Sequence, residues 1–347
     1  MHPLKLAAAT ILSSFIIFST TSLFASQGAM FVYHRFGEPR LPSTNISLDT
    51  FANQLAYLSE SNVPVLALSE VALRLKDKRP LPEHFVVLTV DDGYTSFLEG
   101  AMPLLRRYQF PVTLFVSSGS VGASGYLDWD QLRQLQKKGV EIGNHSHTHP
   151  HLVNLWLKQG ASAVKREIER SQAHFEKNLG KAPRLFAYPF GEAQPDIRRL
   201  VREAGFLAAT VQHSGGLDEQ SDRWQLPRFA MGGPYATLEG FKEKSRMHAL
   251  PVEVLEPPDG IVRDDNPPHL IMKMRNDVEI PLADPRCFVS GRPDCSVKAV
   301  NGEARIYEVV AESPLKGRRN RYTLTGQDDQ GRWYWYSWLW IDPDTPE

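Results

Sequence analysis

Between about residues 29 and 248, short apolar, β-branched runs alternate with amphipathic segments, the pattern of a chain that lays down strand and helix in turn. The runs at 29–33, 63–66, 85–90, 112–116, 140–142, 185–188 and 208–212 are close to continuously apolar, which predicts strands buried on both faces. Helices are predicted between them at 48–59, 98–108, 129–138, 163–179 and 195–204, the first carrying Phe51, Leu55 and Leu58 at helical spacing. Asp128 stands where a helix N-cap belongs, and Gly139, Gly180 and Gly205 stand just past helix ends. Such βα alternation predicts a parallel sheet, open or closed into a barrel.

The pattern changes after residue 248. Residues 249–264 are expected to be a linker, with Pro251, Pro257 and Pro258 in or beside several acids. Residues 265–347 show short alternating runs and no helical periodicity, which predicts a small antiparallel, β-sandwich-like domain. Its last strand, residues 333–340, holds four of the seven Trp. A strand of this composition is expected to pack in a core on one face, with stacking on sugar rings as the alternative.

Composition narrows the class. The 347 residues are 42% hydrophobic and 23% charged, enough apolar material for a real core. Thirty-nine basic against forty acidic residues leave a net charge of −1, so no overall field grips nucleic acid or an anionic membrane, and a neutral substrate fits better. Lys5 precedes an apolar run, residues 6–24, diluted by Ser and Thr and followed by Ala25 and Ser26. Residues 1–25 therefore predict a secretory signal peptide, an exported periplasmic or secreted protein, and no membrane span once it is cleaved. Cys287 and Cys295 are eight positions apart. In an oxidising compartment they are expected to form a disulfide, and to stay thiols if the chain is not exported.

Two motifs carry chemistry. Thr89-Val90-Asp91-Asp92-Gly93-Tyr94 follows an apolar strand directly, at the strand end where ligands meet parallel α/β folds. Adjacent carboxylates there repel and call for a cation. The second motif, residues 141–151, places His145, His147, His149 and His151 within seven positions at the end of another predicted strand. His145 and His149 are spaced i, i+4, although Pro150 disfavours helix at His149. Together the motifs suggest two His and one carboxylate on a metal, leaving coordination positions for water and substrate. Asp92 is then the carboxylate ligand and Asp91 a free base. The same donor set also suits a non-haem Fe(II) oxygenase, usually a jelly roll rather than an α/β fold, and a sugar-binding module resting on the Trp-rich strand is a further alternative.

Thr89 to Tyr94, His145-Ser146-x-x-His149 and Tyr188-Pro189-Phe190-Gly191 resemble the first three motifs of the polysaccharide deacetylases, the NodB-homology group or carbohydrate esterase family four. The resemblance covers about residues 29–248. It implies a distorted (β/α)7 barrel and removal of acetyl groups from sugar polymers with a divalent ion, Zn first and Co or Ni as alternatives. Residue by residue it implies Asp92, His145 and His149 as metal ligands, Asp91 as catalytic base, and the Phe190 backbone N–H as oxyanion donor beside Tyr188 and Pro189. Tyr33-His34-Arg35-Phe36 and Leu226-Pro227-Arg228-Phe229 are similar to segments of the poly-β-1,6-N-acetylglucosamine deacetylases. That subgroup points to His34 as general acid, with His248 and His213 behind it, and to an acetylated exopolysaccharide as substrate. Chitooligosaccharide, peptidoglycan and O-acetyl glycans remain open. Trp129 is a candidate to line the sugar site. The third motif lacks the Arg that many members use to orient the base.

Overall fold

The computed structural model describes residues 26–275, 286–300 and 305–346, so the expected signal peptide at 1–25 lies outside the described residues. Among the described residues, seven parallel strands build the main sheet. They are β1 (Gln27–Tyr33), β2 (His84–Val90), β3 (Thr113–Val116), β4 (Glu141–Asn144), β5 (Leu185–Ala187), β6 (Ala208–Thr210) and β7 (Phe229–Ala230). Their order is β7-β1-β2-β3-β4-β5-β6. Leu226 bridges to Thr210 of β6, and Phe229 then pairs with Phe31 of β1, so one short segment draws the two sheet edges together. This is the distorted (β/α)7 barrel that the alternation and the motif resemblance imply.

The continuous apolar runs have a direct structural cause. Alternate residues of one strand enter different cores: Ala29, Phe31 and Tyr33 of β1 pack in one cluster and Met30 in another, as do Val86, Leu88 and Val90 of β2 against Phe85 and Val87. Burying each of the Val, Leu, Met and Phe side chains among them is worth about 1.5–3 kcal/mol. The helices that cover the sheet include α1 (Leu48–Glu60), α2 (Leu68–Lys76), α3 (Met102–Tyr108), α4 (Trp129–Lys137), α5 (Leu152–Gln159), α6 (Ala161–Leu179), α7 (Pro195–Glu203) and α8 (Leu238–Lys244). Asp128 caps α4 through a capping box with Gln131, and Gly180 ends α6 in the left-handed region at φ 76. The expected strand at 63–66 is reduced to a single bridge, Val65 to Val86, because Pro64 has no N–H to give a ladder.

The C-terminal part consists of β8 (His248–Ala249), β9 (Val252–Glu256), β10 (Leu270–Met274), β11 (Arg286–Val289), β12 (Cys295–Ala299), β13 (Ile306–Ala311), β14 (Arg319–Gln327) and β15 (Trp333–Ile341). They form two four-stranded sheets, β8-β15-β14-β11 and β9-β10-β13-β12, antiparallel except where β8 runs parallel to β15. The expected linker at 249–264 thus contains a strand. Val252 and Val254 alternate onto the domain core, a signal too short to stand out between Pro251 and Pro257. The Trp-rich β15 is core on both faces. Tyr334, Tyr336, Trp338 and Trp340 pack inside the β domain, while Trp335, Leu339 and Ile341 pack against the barrel. Cys287 of β11 and Cys295 of β12 are joined by a disulfide that links the two sheets.

Candidate active site

Most of the site leaves the C-terminal ends of parallel strands: Asp91 and Asp92 follow β2, the His loop follows β4, residues 188–192 follow β5, and Gln212 follows β6, while Arg228 directly precedes β7. The backbone there is held in conformations that only local bonding sustains. Asp92, Ser146, His149 and Phe190 all have positive φ, at 73°, 67°, 55° and 58°. Asn144 Oδ1 accepts from the Ser146 N–H at 2.7 Å, and Ser146 Oγ accepts from the His149 N–H at 3.1 Å. From α6, Ser171 donates to Asn144 Oδ1 and Glu167 accepts from the His147 N–H. The i, i+4 spacing of His145 and His149 is therefore realised on a wired loop rather than on a helix, as Pro150 suggests.

This wiring brings three donors together. His149 Nε2 lies 3.2 Å from His145 Nε2, and Asp92 Oδ1 lies 3.5 and 3.6 Å from those two nitrogens. His145 Nδ1 is 2.7 Å from the Ala187 carbonyl, to which it donates, leaving Nε2 with its lone pair directed at the cluster. Ligands about 2.0–2.2 Å from a tetrahedral ion stand roughly 3.3–3.6 Å apart, so the set fits a zinc-like divalent ion without rearrangement. Burial, with the neighbouring His145, pushes His149 down to about 4, which keeps the ring neutral and able to ligate at ordinary pH.

Asp91 is the second half of the site. It is fully buried, 3.9 Å from His145 Nε2, and gripped by the equally buried Arg228, whose Nη1 and Nη2 donate to Oδ1 and Oδ2 at 2.7 and 2.8 Å. Gln212 Nε2 donates to Oδ2 at 3.2 Å. Arg228 is itself fixed by the Val211 carbonyl and Thr89 Oγ1. Burial alone would raise the Asp91 carboxyl; the Arg228 guanidinium, helped by His145 and His34, overrides it and holds the group well below the usual carboxylate range. The Arg missing from the third motif is thus replaced by Arg228, more than a hundred positions downstream of Asp91. Sequence reasoning singled out the segment 226–229 without giving Arg228 a task, and the signal was its place in that segment.

The remaining candidates separate clearly. His34 leaves the end of β1, half-buried, close enough for its charge to act on Asp91. His248 sits at the opposite end of the barrel, its ring 5.1 Å from that of Tyr334 in a cavity shared with Gln27 and His84, the first residues of β1 and β2. His213 lines the crevice between barrel and β domain, where burial, then Arg198 and Arg321, push it down to about 3. Phe190 stacks on His151 at 3.9 Å and meets His149 edge-on at 4.6 Å. Tyr188 is buried, donating to the Trp224 carbonyl, and Pro189 is buried as well. Trp129 packs edge-on against Phe175 of α6 and belongs to the barrel core rather than to the three converging donors.

Sequence reasoning also missed a contribution from the β domain. Arg319 of β14 donates to the Phe190 carbonyl at 2.8 Å, and the neighbouring Arg318 donates through Nε and Nη2 to both oxygens of buried Glu192. Glu192 in turn lies 3.1 Å from His151 Nδ1. The run Arg318-Arg319-Asn320-Arg321 was the signal available in the sequence.

Residues 78–209 match the family model described as polysaccharide deacetylase. A poly-β-1,6-N-acetyl-D-glucosamine N-deacetylase of Staphylococcus aureus is 24% identical over 229 residues, 62% of this chain and 79% of that protein. The solved deacetylase PplD of Streptococcus pyogenes shares the fold with a TM-score of 0.57 at 21% identity, covering 64% of this chain and 99% of its own. IcaB from Ammonifex degensii does so with a TM-score of 0.56 at 24% identity, covering 63% and 97%. The fold and the assembled donors agree with the match of residues 78–209 to a polysaccharide deacetylase domain of the NodB type.

Proposed function

We propose that the protein removes N-acetyl groups from an N-acetylglucosamine polymer of the poly-β-1,6-linked kind, in the cell envelope or outside the cell. The observation that carries the reading is the convergence of Asp92, His145 and His149 beside a buried carboxylate that Arg228 keeps ionised. The named activity of the Staphylococcus aureus relative supports the choice of glycan, and the apolar, Ser/Thr-diluted segment 6–24 supports export. No helix among the described residues is long and apolar enough to cross a membrane.

Asp92, His145 and His149 would hold a divalent ion, Zn with Co or Ni as alternatives. When bound, such an ion supplies an acidified water and positive charge where an oxyanion develops. Asp91 takes the proton of the attacking water; Arg228 and Gln212 fix its two oxygens so that it needs no reorientation. The left-handed turn at Phe190 presents its N–H to the acetamide oxygen as the carbonyl carbon becomes tetrahedral. His34 delivers a proton to the departing amine. The test is acetate release from β-1,6-linked N-acetylglucosamine oligomers by the full chain, with chelator and then with metal restored. Release that stops and returns supports the reading; release only from β-1,4-linked chitooligosaccharide, peptidoglycan or O-acetyl glycans would overturn the assignment of substrate.

A further inference from the structure

The face of β14 that meets the barrel does more than pack. Its alternate residues Arg319, Arg321, Thr323 and Thr325 form one row, since Tyr322 and Leu324 between them point into the β-domain core. The row starts at the catalytic loop, where Arg319 holds the Phe190 carbonyl, and passes Gln212, whose carbonyl lies 3.5 Å from Arg321 Nη1. At about 3.3 Å per residue it extends roughly 20 Å from Arg319 to Thr325. Along it lies a cavity of about 380 Å³ whose walls include Trp333, Trp335 and Tyr235.

Three features of this cavity point to a ligand. The aromatic rings are partly open to the cavity: Trp333 and Trp335 pack on the barrel core along one side yet are only half-buried, and Tyr235 is 49% exposed. The hydroxyl of Thr325, a residue only 5% exposed, has no hydrogen-bond partner although it lines the cavity. Native structures rarely leave such a group unsatisfied without a reason. Finally, the lining charge is unbalanced, with Arg286, Arg321 and Lys244 against Glu243. Arg286 lies over the Trp333 ring at 5.5 Å, and neither Arg286 nor Arg321 has a carboxylate partner among the described residues.

Flat aromatic walls, guanidinium donors and an unfilled hydroxyl suit neutral sugar rings bearing hydroxyl and acetamide oxygens. The cationic lining repels amino sugars that have lost their acetyl groups. We propose that this groove binds a still-acetylated stretch of the glycan, so that the β domain holds the chain beside the site that trims it and lets go of finished product. The inference rests on the function proposed above.

Its test is a titration of the full-length, chelated protein with a β-1,6-linked N-acetylglucosamine pentamer, followed by Trp fluorescence and calorimetry. Saturable binding of the pentamer is expected, at least about tenfold weaker for the fully de-N-acetylated pentamer. Trp333→Ala and Arg321→Gln are each expected to weaken it about tenfold. Arg286→Ala, at an exposed position where folding is not at stake, is expected to weaken it about threefold. Undiminished affinity in all three variants, equal affinity for the de-N-acetylated pentamer, or no binding by the parent protein would overturn the proposal. Acetate release from the same pentamer by the metal-loaded enzyme reports on the proposed function separately, so either idea can fail alone.

Discussion

Arg318 and Glu192 form a doubly hydrogen-bonded ion pair, at 2.7 and 2.8 Å, across the junction of the β domain and the barrel, and both side chains are buried. Glu192 lies two residues after Phe190 and also meets His151, so the pair anchors the loop that closes one side of the site. Removing one partner strands the other charge in a dry place, at a cost of about 3–5 kcal/mol. Arg318→Ala and Glu192→Ala are each expected to lose stability of this order in chemical denaturation, while the double variant loses clearly less than their sum. Additive losses would show that the two residues do not act as a pair.

Arg228 and Asp91 give a second prediction, with a definite pH sign. The folded-state pKa of Asp91 is depressed, so its contribution to stability is present above the ordinary carboxylate value of about 3.9 and is lost as pH falls toward the folded value. In Arg228→Met, burial is no longer offset, and the folded pKa of Asp91 moves above its unfolded value. Stability then falls as pH rises through that interval. The deficit of Arg228→Met relative to the parent is therefore expected to be largest near pH 7, about 3–5 kcal/mol, and smaller near pH 5. Denaturation at the two pH values measures it, and the acid limb of the activity profile is expected to shift to higher pH. A deficit independent of pH would mean that Arg228 acts by packing alone.

The proposed ligand set is expected to be separable from the proposed base. Asp91→Asn is expected to retain one equivalent of divalent metal through gel filtration and to lose turnover, whereas His145→Ala and Asp92→Ala are expected to lose both. Because an ion that binds only the folded state stabilises it by mass action, restoring Zn to chelated protein is expected to raise the Tm of the parent and of Asp91→Asn. It is expected to leave His145→Ala unchanged. Metal analysis and thermal melts together check the assignment.

How far the sequence revealed this arrangement depended on distance along the chain. The parallel sheet was legible because each strand carries its own signal, and the proposed ligands were legible because Asp92, His145 and His149 lie in two compact motifs at strand ends. Arg228 was not assignable because its partner Asp91 stands 137 positions away, and no local periodicity records that contact. Arg318 and Arg319 were hidden for a further reason. They belong to a different domain, whose docking onto the 188–192 loop depends on β15 being apolar on both faces, whereas the strand's composition predicted core on one face only, with an exposed sugar-binding face as the alternative. The strand at Val252–Glu256 was obscured by the prolines flanking it.

The disulfide between Cys287 and Cys295 ties β11 in one sheet to β12 in the other. Closing so short a loop is worth about 2–3 kcal/mol on chain-entropy grounds. Cys287→Ser with Cys295→Ser is therefore expected to lower the denaturation midpoint. It is expected to leave metal stoichiometry intact, because the proposed ligands Asp92, His145 and His149 all lie in the barrel. Equal stability with and without the bond would indicate that the loop is already restrained by its two sheets.

His34 can be tested through the leaving group. An amine departing from a tetrahedral carbon is a poor leaving group until it is protonated, whereas a nitrophenolate departs without help. A residue that supplies that proton matters for the first substrate and hardly at all for the second, while one that merely shapes the site harms both. His34 follows the end of β1, within electrostatic reach of Asp91. His34→Ala is accordingly expected to lower kcat for N-acetylglucosamine oligomers by about 10²–10⁴, the usual contribution of a general acid. Its effect on p-nitrophenyl acetate is expected to be within a few-fold, with bound metal unchanged. Parallel losses on both substrates would reassign His34 to structure and leave the amine to be protonated by solvent or by Asp91 returning the proton it accepted.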